Sequence, residues 1–384
     1  MSVETKAEKT SSISIQPPTR YLYGPGPTQV HQRVYEAISR PIVGHLDPYF
    51  FKVSEEIQRL LRIVFGTKNE LTFAISATGS GGMETAISNF VEPGTKVVVF
   101  ANGYFCDRMT EMAKRHGGNV VRFEKAWGEV FGDDEAAEFI RREKPQVVMY
   151  VQAETSTGVF QEGKAICAAA HEVGALVIAD VVTSLGAMPV RVDETGIDIA
   201  YSCSQKGLSC PPGLSPITIS PAATERLNAR QTTNRSWYFD LKLITDYLIE
   251  SHRYHHTAPI SMFYALHEAL TMVEEEGAEN RWKRHHQCHE QFVKGVTALG
   301  LQMKAPEGHR IWNLNTPTVP AGVDDAKVRA TLMKEHGIEI AGGFGPLAGK
   351  VFRVGIMGPL ATEEHVSDFL NKFEDALKAA GHKR

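Results

Sequence analysis

The sequence predicts an α/β protein, with a mainly parallel sheet in a large domain and a smaller C-terminal α+β domain. Three observations carry this. Between residues 71 and 220, short β-branched apolar runs alternate with helical patterns of about 10–15 residues, as strand–helix–strand crossovers do. Two of those runs, ALVIAD at 175–180 and IDIAYSCS at 197–204, read as neighbouring strands of a buried sheet. After the charged segment EEEGAENRWKR at 274–284, the pattern becomes a compact series of helices and short strands, which places a domain boundary near residue 280.

The elements follow in order. Residues 1–18 are polar, end in Pro17-Pro18 and read as a flexible arm; the large domain then spans 19–280 and the small one 281–384. In YLYGPGPTQV, alternating Gly and Pro forbid helix and set a rigid turn. Val30, Val34, Ala37 and Ile38 repeat at helical spacing, as do Ile57, Leu60, Leu61 and Val64. The loop between them, RPIVGHLDPYF, either lines a site or is packed connection. LTFAIS reads as a strand and ATGSGGMETAISNF as a turn feeding a helix. PGTKVVVFANG follows as turn, strand and turn, then a helix around 104–117 and the strand NVVRFE. DDEAAEFIRREK reads as helix, QVVMYVQAETSTG as strand and loop, GKAICAAAHEVG as helix and LSPITIS as one more strand. Residues 221–260 are less regular, and Leu266, Ala269, Leu270 and Val273 resume a helical stripe. The tail gives a helix to about Leu299, strand IWNLN, helix DDAKVRATLMKEHG and strands IEIAG and KVFRVGIM. A last helix follows, capped by Thr362, with Val366, Phe369, Leu370 and Phe373 inward.

Composition narrows the function. A chain of 384 residues with 42% hydrophobic and 22% charged residues is ordinary for a globular protein. A formal net charge of −4 gives no electrostatic argument for nucleic acid or an anionic membrane. The five cysteines form neither an even framework nor a CxxC pair, which fits a reducing compartment. No apolar stretch is long enough to span a bilayer and no signal core opens the chain, so the expectation is a cytoplasmic protein.

The chemistry gathers at strand ends. Ligands of open α/β sheets bind beyond the carboxyl ends of the strands, where Asp180 and Lys206 both arrive. That pair suits pyridoxal phosphate, which takes a Lys for its Schiff base and an acid facing its pyridinium nitrogen. The same two residues read equally well as a buried ion pair holding two strand ends. Thr78-Gly79-Ser80-Gly81-Gly82 follows a strand and opens a helix, an arrangement that suits a phosphate. It is a poor dinucleotide fingerprint, with Glu84 at the third glycine position, and it lacks the GK[ST] ending of a P-loop. A nicotinamide-dependent dehydrogenase is therefore disfavoured.

In the order phosphate cradle, acid, lysine, the chain resembles the pyridoxal-phosphate enzymes of fold-type I, and among them the class V aminotransferases of alanine–glyoxylate and serine–pyruvate type. The resemblance runs from GPGPTQV to the last helix through ANGYF, ETSTGV, ADVVTSLG, SQKGLSCPPG, YHHTAP and KVFRVGIMG. It implies that Lys206 carries the cofactor and acts as general base, and that Asp180 pairs with the ring nitrogen. Phe105 would face the cofactor ring, where the family often has Trp. Thr155 would lie near the phenolic oxygen, and Gly79, Ser80, Gly81 and Gln205 around the phosphate. Tyr254 and Thr257 would reach the phosphate of a neighbouring subunit, which implies a homodimer with shared sites. Arg353 would bind the substrate carboxylate, a bidentate task suited to a planar guanidinium, with the Gly26 backbone close by.

The expected reaction moves an amino group from alanine or serine to glyoxylate or pyruvate in ping-pong fashion. One carboxylate anchor and no evident second arginine argue for small substrates. A purine-catabolic relative, (S)-ureidoglycine–glyoxylate aminotransferase, resembles the chain as well, although that branch tends to carry amides where His45 and Tyr254 stand here. A lyase or cysteine desulfurase of the same fold is a further alternative, but no cysteine falls in a matching late loop. A catalytically silent homologue would not need lysine, acid, cradle and arginine together. The histidines at 255, 256, 285, 286 and 289 lack a convincing zinc spacing, so no metal is expected.

Overall fold

A computed structural model of the chain describes residues 15–383. Of the expected arm, residues 1–14 lie outside the described part, and residues 15–18 are exposed. The chain opens with β1 (Tyr21–Leu22), α1 (Gln32–Ile38) and α2 (Pro48–Phe65). β2 (Leu71–Ile75), α3 (Gly79–Phe90), β3 (Lys96–Ala101), α4 (Tyr104–Arg115), β4 (Asn119–Glu124), α5 (Asp133–Glu143) and β5 (Val147–Val151) then alternate. The hairpin strands β6 (Ala153–Glu154) and β7 (Val159–Phe160) precede α6 (Lys164–Glu172), β8 (Leu176–Asp180), α7 (Val192–Thr195), β9 (Ile199–Tyr201) and β10 (Ser215–Ile219). Residues 221–260, irregular in sequence, hold α8 (Pro221–Asn228), α9 (Leu241–Thr245) and a π-helical turn at Asp246–Glu250. The remainder is α10 (Ile260–Glu276), α11 (Ala278–Ala298), β11 (Leu314–Asn315), α12 (Asp325–His336), β12 (Ile338–Glu339), β13 (Ala341–Gly342), β14 (Phe352–Gly355) and α13 (Glu363–Ala379).

Local chemistry explains the boundaries. Asp47 caps α2 by accepting the Tyr49 N–H, Pro48 occupies its first turn, and left-handed Gly66 ends it. Thr362 caps α13 through the His365 N–H, and Val366, Phe369 and Phe373 are buried while Leu370 is half-buried. Two tail strands come out shorter than their patterns. IWNLN pairs only at Leu314–Asn315, and IEIAG breaks at Ile340 into β12 and β13, which join different partners.

Seven strands form the central sheet in the order β2-β10-β9-β8-β5-β3-β4. β3, β4, β5, β8 and β9 run parallel, and β10 is reversed against both β9 and β2. Register sets Asp180 beside Val151 and Tyr201, so three strands deliver their carboxyl ends to one edge. The first core gathers around this sheet, from Val34 to Val273, with Phe50, Phe73, Tyr150 and Phe263 among its largest members. A second core runs from Cys288 to Ala380 around β14, α12 and α13, and it also takes in Tyr23.

The N-terminal segment departs from expectation. Residues 21–23, placed by sequence with the large domain, join the C-terminal core instead. β1 pairs in parallel with β12, and the Tyr23 ring lies 4.7 Å from Phe369. A two-residue strand with aromatic flanks finds there an open strand edge and an apolar face to cover.

Candidate active site

Asp180 ends β8, only 3% exposed. Its Oδ1 accepts the Val182 N–H at 2.9 Å and its Oδ2 the Tyr201 hydroxyl at 2.8 Å. Burial pushes its pKa up to about 6 despite those two bonds and the nearby Arg108, and the charge of Glu154 adds to the rise. Lys206 sits in the loop after β9. Burial holds its ammonium below the usual lysine range, and Arg353 adds to that, while Cys203 and Asp180 oppose it. A lysine so placed keeps more of its neutral, nucleophilic form. Its Nζ donates to the Pro25 carbonyl. Gly26 is needed beside it: its φ of +122° disfavours any side chain, and a Cβ there would stand 2.6 Å from Nζ.

The N-terminus of α3 forms the next wall. Thr78 is its N-cap, yet the Thr78 hydroxyl makes no capping bond. The first amides of the helix, at Gly79 and Ser80, have no intrahelical acceptor, which leaves them free for an anion. Ser80 Oγ accepts from Arg108 Nη1 at 2.9 Å. Gly79 must be small, because a Cβ there would lie 3.0 Å from that of Cys203. A cleft of about 240 Å³ lies between this turn, Asp180, Lys206, Phe105 and Thr155.

Gln205 lines the same cleft, and its side-chain Oε1 is buried with no hydrogen-bond partner among the described residues. Thr155 Oγ1 lies 2.6 Å from Thr183 Oγ1, which fixes its rotamer. Phe105, half-buried in the first turn of α4, is held by its backbone. Its N–H donates to Glu154 Oε2 at 3.0 Å, and the Tyr104 N–H donates to Ser156 Oγ at 3.0 Å. Gly103, the N-cap of α4, has no side chain to do this work, so the fully buried Glu154 does it from the neighbouring hairpin.

Four sequence expectations fall outside this cleft. Gly81 turns away: its N–H donates to the Thr78 carbonyl at 2.8 Å, and its Cα faces Ala77 and Phe239. The amide a phosphate would need there is already committed inside the turn. Tyr254 is 56% exposed with its ring 4.9 Å from His45, and Thr257 is exposed; neither lines the cleft of its own chain. Arg353, on β14, is buried beyond the cleft, close enough for its charge to depress Lys206. Its Nε donates to the Gly342 carbonyl at 2.8 Å and its Cζ lies 3.8 Å from the Phe344 ring centre. The terminal nitrogens make no hydrogen bond among the described residues. Burial pulls its pKa down to about 10, against the pull of Glu154.

Comparison with known proteins matches this arrangement to a family. The family described as Aminotransferase class-V matches residues 20–366. The chain belongs to the class V aminotransferases. It is 36% identical over 378 residues to an (S)-ureidoglycine–glyoxylate transaminase of Bacillus subtilis, covering 94% of this chain and 91% of that protein. It is 36% identical over 366 residues to the alanine–glyoxylate aminotransferase of Mus musculus, covering 94% and 88%. Among solved structures, an alanine–glyoxylate aminotransferase from Nostoc sp. superposes with a TM-score of 0.95 at 42% identity, covering 98% of this chain and all of that one. The fold is accordingly that of the fold-type I pyridoxal-phosphate enzymes.

Class V aminotransferases use pyridoxal phosphate, and the cleft of this one fits it. The unpartnered Gln205 Oε1, the uncommitted Thr78 hydroxyl and the open amides of α3 supply polar groups at the end where a phosphate would lie, with Asp180 and Lys206 deeper in. Sequence reasoning passed over Arg108, Tyr201 and Glu154. Tyr201 stands opposite Asp180 in strand register and was findable. Arg108 does line the cleft, but it is bonded to Ser80 and stacked on Phe105 with Cζ 4.9 Å from the ring centre. Among the described residues no helix is long and apolar enough to cross a membrane, and no group of three or more His, Cys, Asp or Glu could hold a metal ion.

Proposed function

We propose that this aminotransferase transfers the amino group of a small amino acid, alanine or serine, to glyoxylate or pyruvate, with Lys206 and Asp180 as its catalytic residues. The observation that carries the reading is the convergence of a lysine of lowered pKa and a buried acid on one cleft, with an arginine of unfilled terminal nitrogens nearby. Bound pyridoxal phosphate supplies an electron sink for the pair released at the substrate Cα. Asp180, oriented by Tyr201 and Val182, holds the proton on the ring nitrogen. Lys206 Nζ would take the proton from Cα and deliver it to the C4′ carbon of the cofactor. Arg353 anchors the carboxylate, and Gly26 leaves room for Lys206 and for substrate. Thr78, Gly79, Ser80 and Gln205 hold the phosphate, Phe105 covers the ring face, and Thr155 meets the phenolic oxygen.

The enzyme works as a homodimer in which Tyr254 and Thr257 complete the partner's phosphate site. In support, Ile42, Leu46 and Tyr49 are exposed on the segment whose His45 packs on the exposed Tyr254. Such a run of apolar side chains suits a second copy. A cytoplasmic location and a division of the chain near residue 280, between α10 and α11, complete the reading.

The test is an absorption spectrum of the protein with added cofactor, beside Lys206→Ala. A visible band that alanine bleaches and glyoxylate restores, with parallel initial-velocity lines, is the expected result. Failure of the protein to take up cofactor would overturn it. A second reading has the similarity to the Bacillus subtilis transaminase in its favour: (S)-ureidoglycine as donor to glyoxylate. Assaying both donors separates the two.

A further inference from the structure

We propose that Tyr104 and Phe344 form an aromatic wall that limits the size of the amino donor's side chain. The proposal rests on the reading of Arg353 as the carboxylate anchor and deepens it to specificity. The rings form an unbroken path. Phe105 meets Tyr104 edge-on at 5.4 Å, Tyr104 meets Phe344 at 5.1 Å, and Phe344 lies flat against the Arg353 guanidinium at 3.8 Å. An amino acid held with its nitrogen beneath Phe105 and its carboxylate on Arg353 spans between the two ends of this path. That span is the same for every amino acid, so the substituent on Cα is the only part whose size varies, and it lies alongside the wall.

Both wall residues are held firmly although they are partly exposed, at 40% and 37%. Tyr104 is pinned by its N–H to Ser156 Oγ. Phe344 rides on a tight strap: its carbonyl accepts the Leu347 N–H at 2.8 Å, and the Leu347 carbonyl accepts the Lys350 N–H at 3.0 Å. Gly345, at a φ of +44°, lets Trp127 back the strap, since a Cβ there would stand 3.2 Å from the indole. Phe344 also occupies one face of the Arg353 guanidinium while Gly342 takes its Nε. The terminal edge, which makes no hydrogen bond among the described residues, is left for a carboxylate. The wall therefore sets both the direction from which the anchor is reached and the room beside it.

The experiment compares wild type with Phe344→Ala and Tyr104→Ala in kcat/KM for L-alanine and L-leucine. It also measures binding of glyoxylate and 4-methyl-2-oxopentanoate to the cofactor-free proteins by calorimetry. One methylene in an apolar pocket is worth roughly 10–200-fold. The leucine-to-alanine ratio should rise at least about tenfold in either variant, through KM more than kcat, and the larger oxo acid should bind tighter relative to glyoxylate. Phe344→Leu, a milder change, should give an intermediate ratio and guards against a folding defect. Unchanged ratios in all three variants overturn the wall. If wild type transfers no amino group from alanine or any other donor, the proposed function fails, and calorimetry alone then decides the wall.

Discussion

Glu154 offers the sharpest test of how the site is held. Its carboxylate is fully buried, and both oxygens are occupied: Oε2 by the Phe105 N–H, Oε1 by the N–H and hydroxyl of Ser156 at 3.0 and 2.6 Å. Burial raises its pKa above the usual range, against these hydrogen bonds. In Glu154→Gln one terminal atom becomes a donor, and whichever way the amide turns it faces a backbone N–H. One buried amide is left unsatisfied, at a cost of about 1–3 kcal/mol. Glu154→Ala orphans both amides and leaves a void, so its cost rises to about 3–5 kcal/mol. The loss is local to the first turn of α4, and backbone amide exchange reads it there. Residues 104–108 should exchange roughly ten- to a hundredfold faster in Glu154→Gln, and faster again in Glu154→Ala, at about 1.4 kcal/mol per factor of ten. Exchange within twofold of wild type in both variants would refute the claim that Glu154 is what fixes Tyr104 and Phe105.

Three further outcomes are expected. In the cofactor-free protein the Asp180 pKa is raised from 3.8 to about 6, so its contribution to stability is fully present below 3.8 and is lost as pH rises through 6. Asp180→Asn should therefore gain on wild type between pH 4 and pH 7 by up to about 3 kcal/mol, measured as the denaturant midpoint against pH. Gly26→Ala should leave the far-ultraviolet circular dichroism intact while cofactor affinity falls roughly ten- to a hundredfold, because strain at positive φ and the encounter with Lys206 Nζ add together. Arg281→Met should lower stability by about 3–5 kcal/mol in the same denaturant titration. Arg281 is buried, with its pKa pulled down by burial, and the change strips donors from the Gly186 and Gly207 carbonyls on either side of the lysine loop.

Legibility in the sequence followed the range of the interactions. Asp180 was legible because a buried strand of apolar residues ending in a charge is a local pattern, and Lys206 because it lies in the loop just past the neighbouring strand. The alternation of strands and helices gave the sheet; the reversal of β10 did not show, because LSPITIS has the same composition in either direction. The glycine-rich turn from Thr78 to Gly82 was legible as a helix start; which of its groups stay free was not, because that depends on the bond from the Gly81 N–H to the Thr78 carbonyl. Glu154 looked like any polar residue in a loop; its role depends on a helix start about fifty residues earlier in the chain. The allegiance of residues 21–23 was equally invisible, since their partners lie beyond residue 330.

That last pairing has a consequence for how the protein is made. The strands of the central sheet end at Ile219 and the core around it at Val273, so it can close while the chain is still being synthesised. Tyr21 and Leu22 have no partner until Ile338 and Glu339 emerge, and Arg353 comes later still. At ribosomal speeds of about 5–20 residues per second, Gly26 waits roughly 15–65 s for the arginine with which it would share a substrate. Through that interval the nascent chain has Lys206 and Asp180 but lacks the arginine proposed to grip a carboxylate. On the proposed reading it would gain that grip only once β14 has been made and β1 has found its neighbour β12.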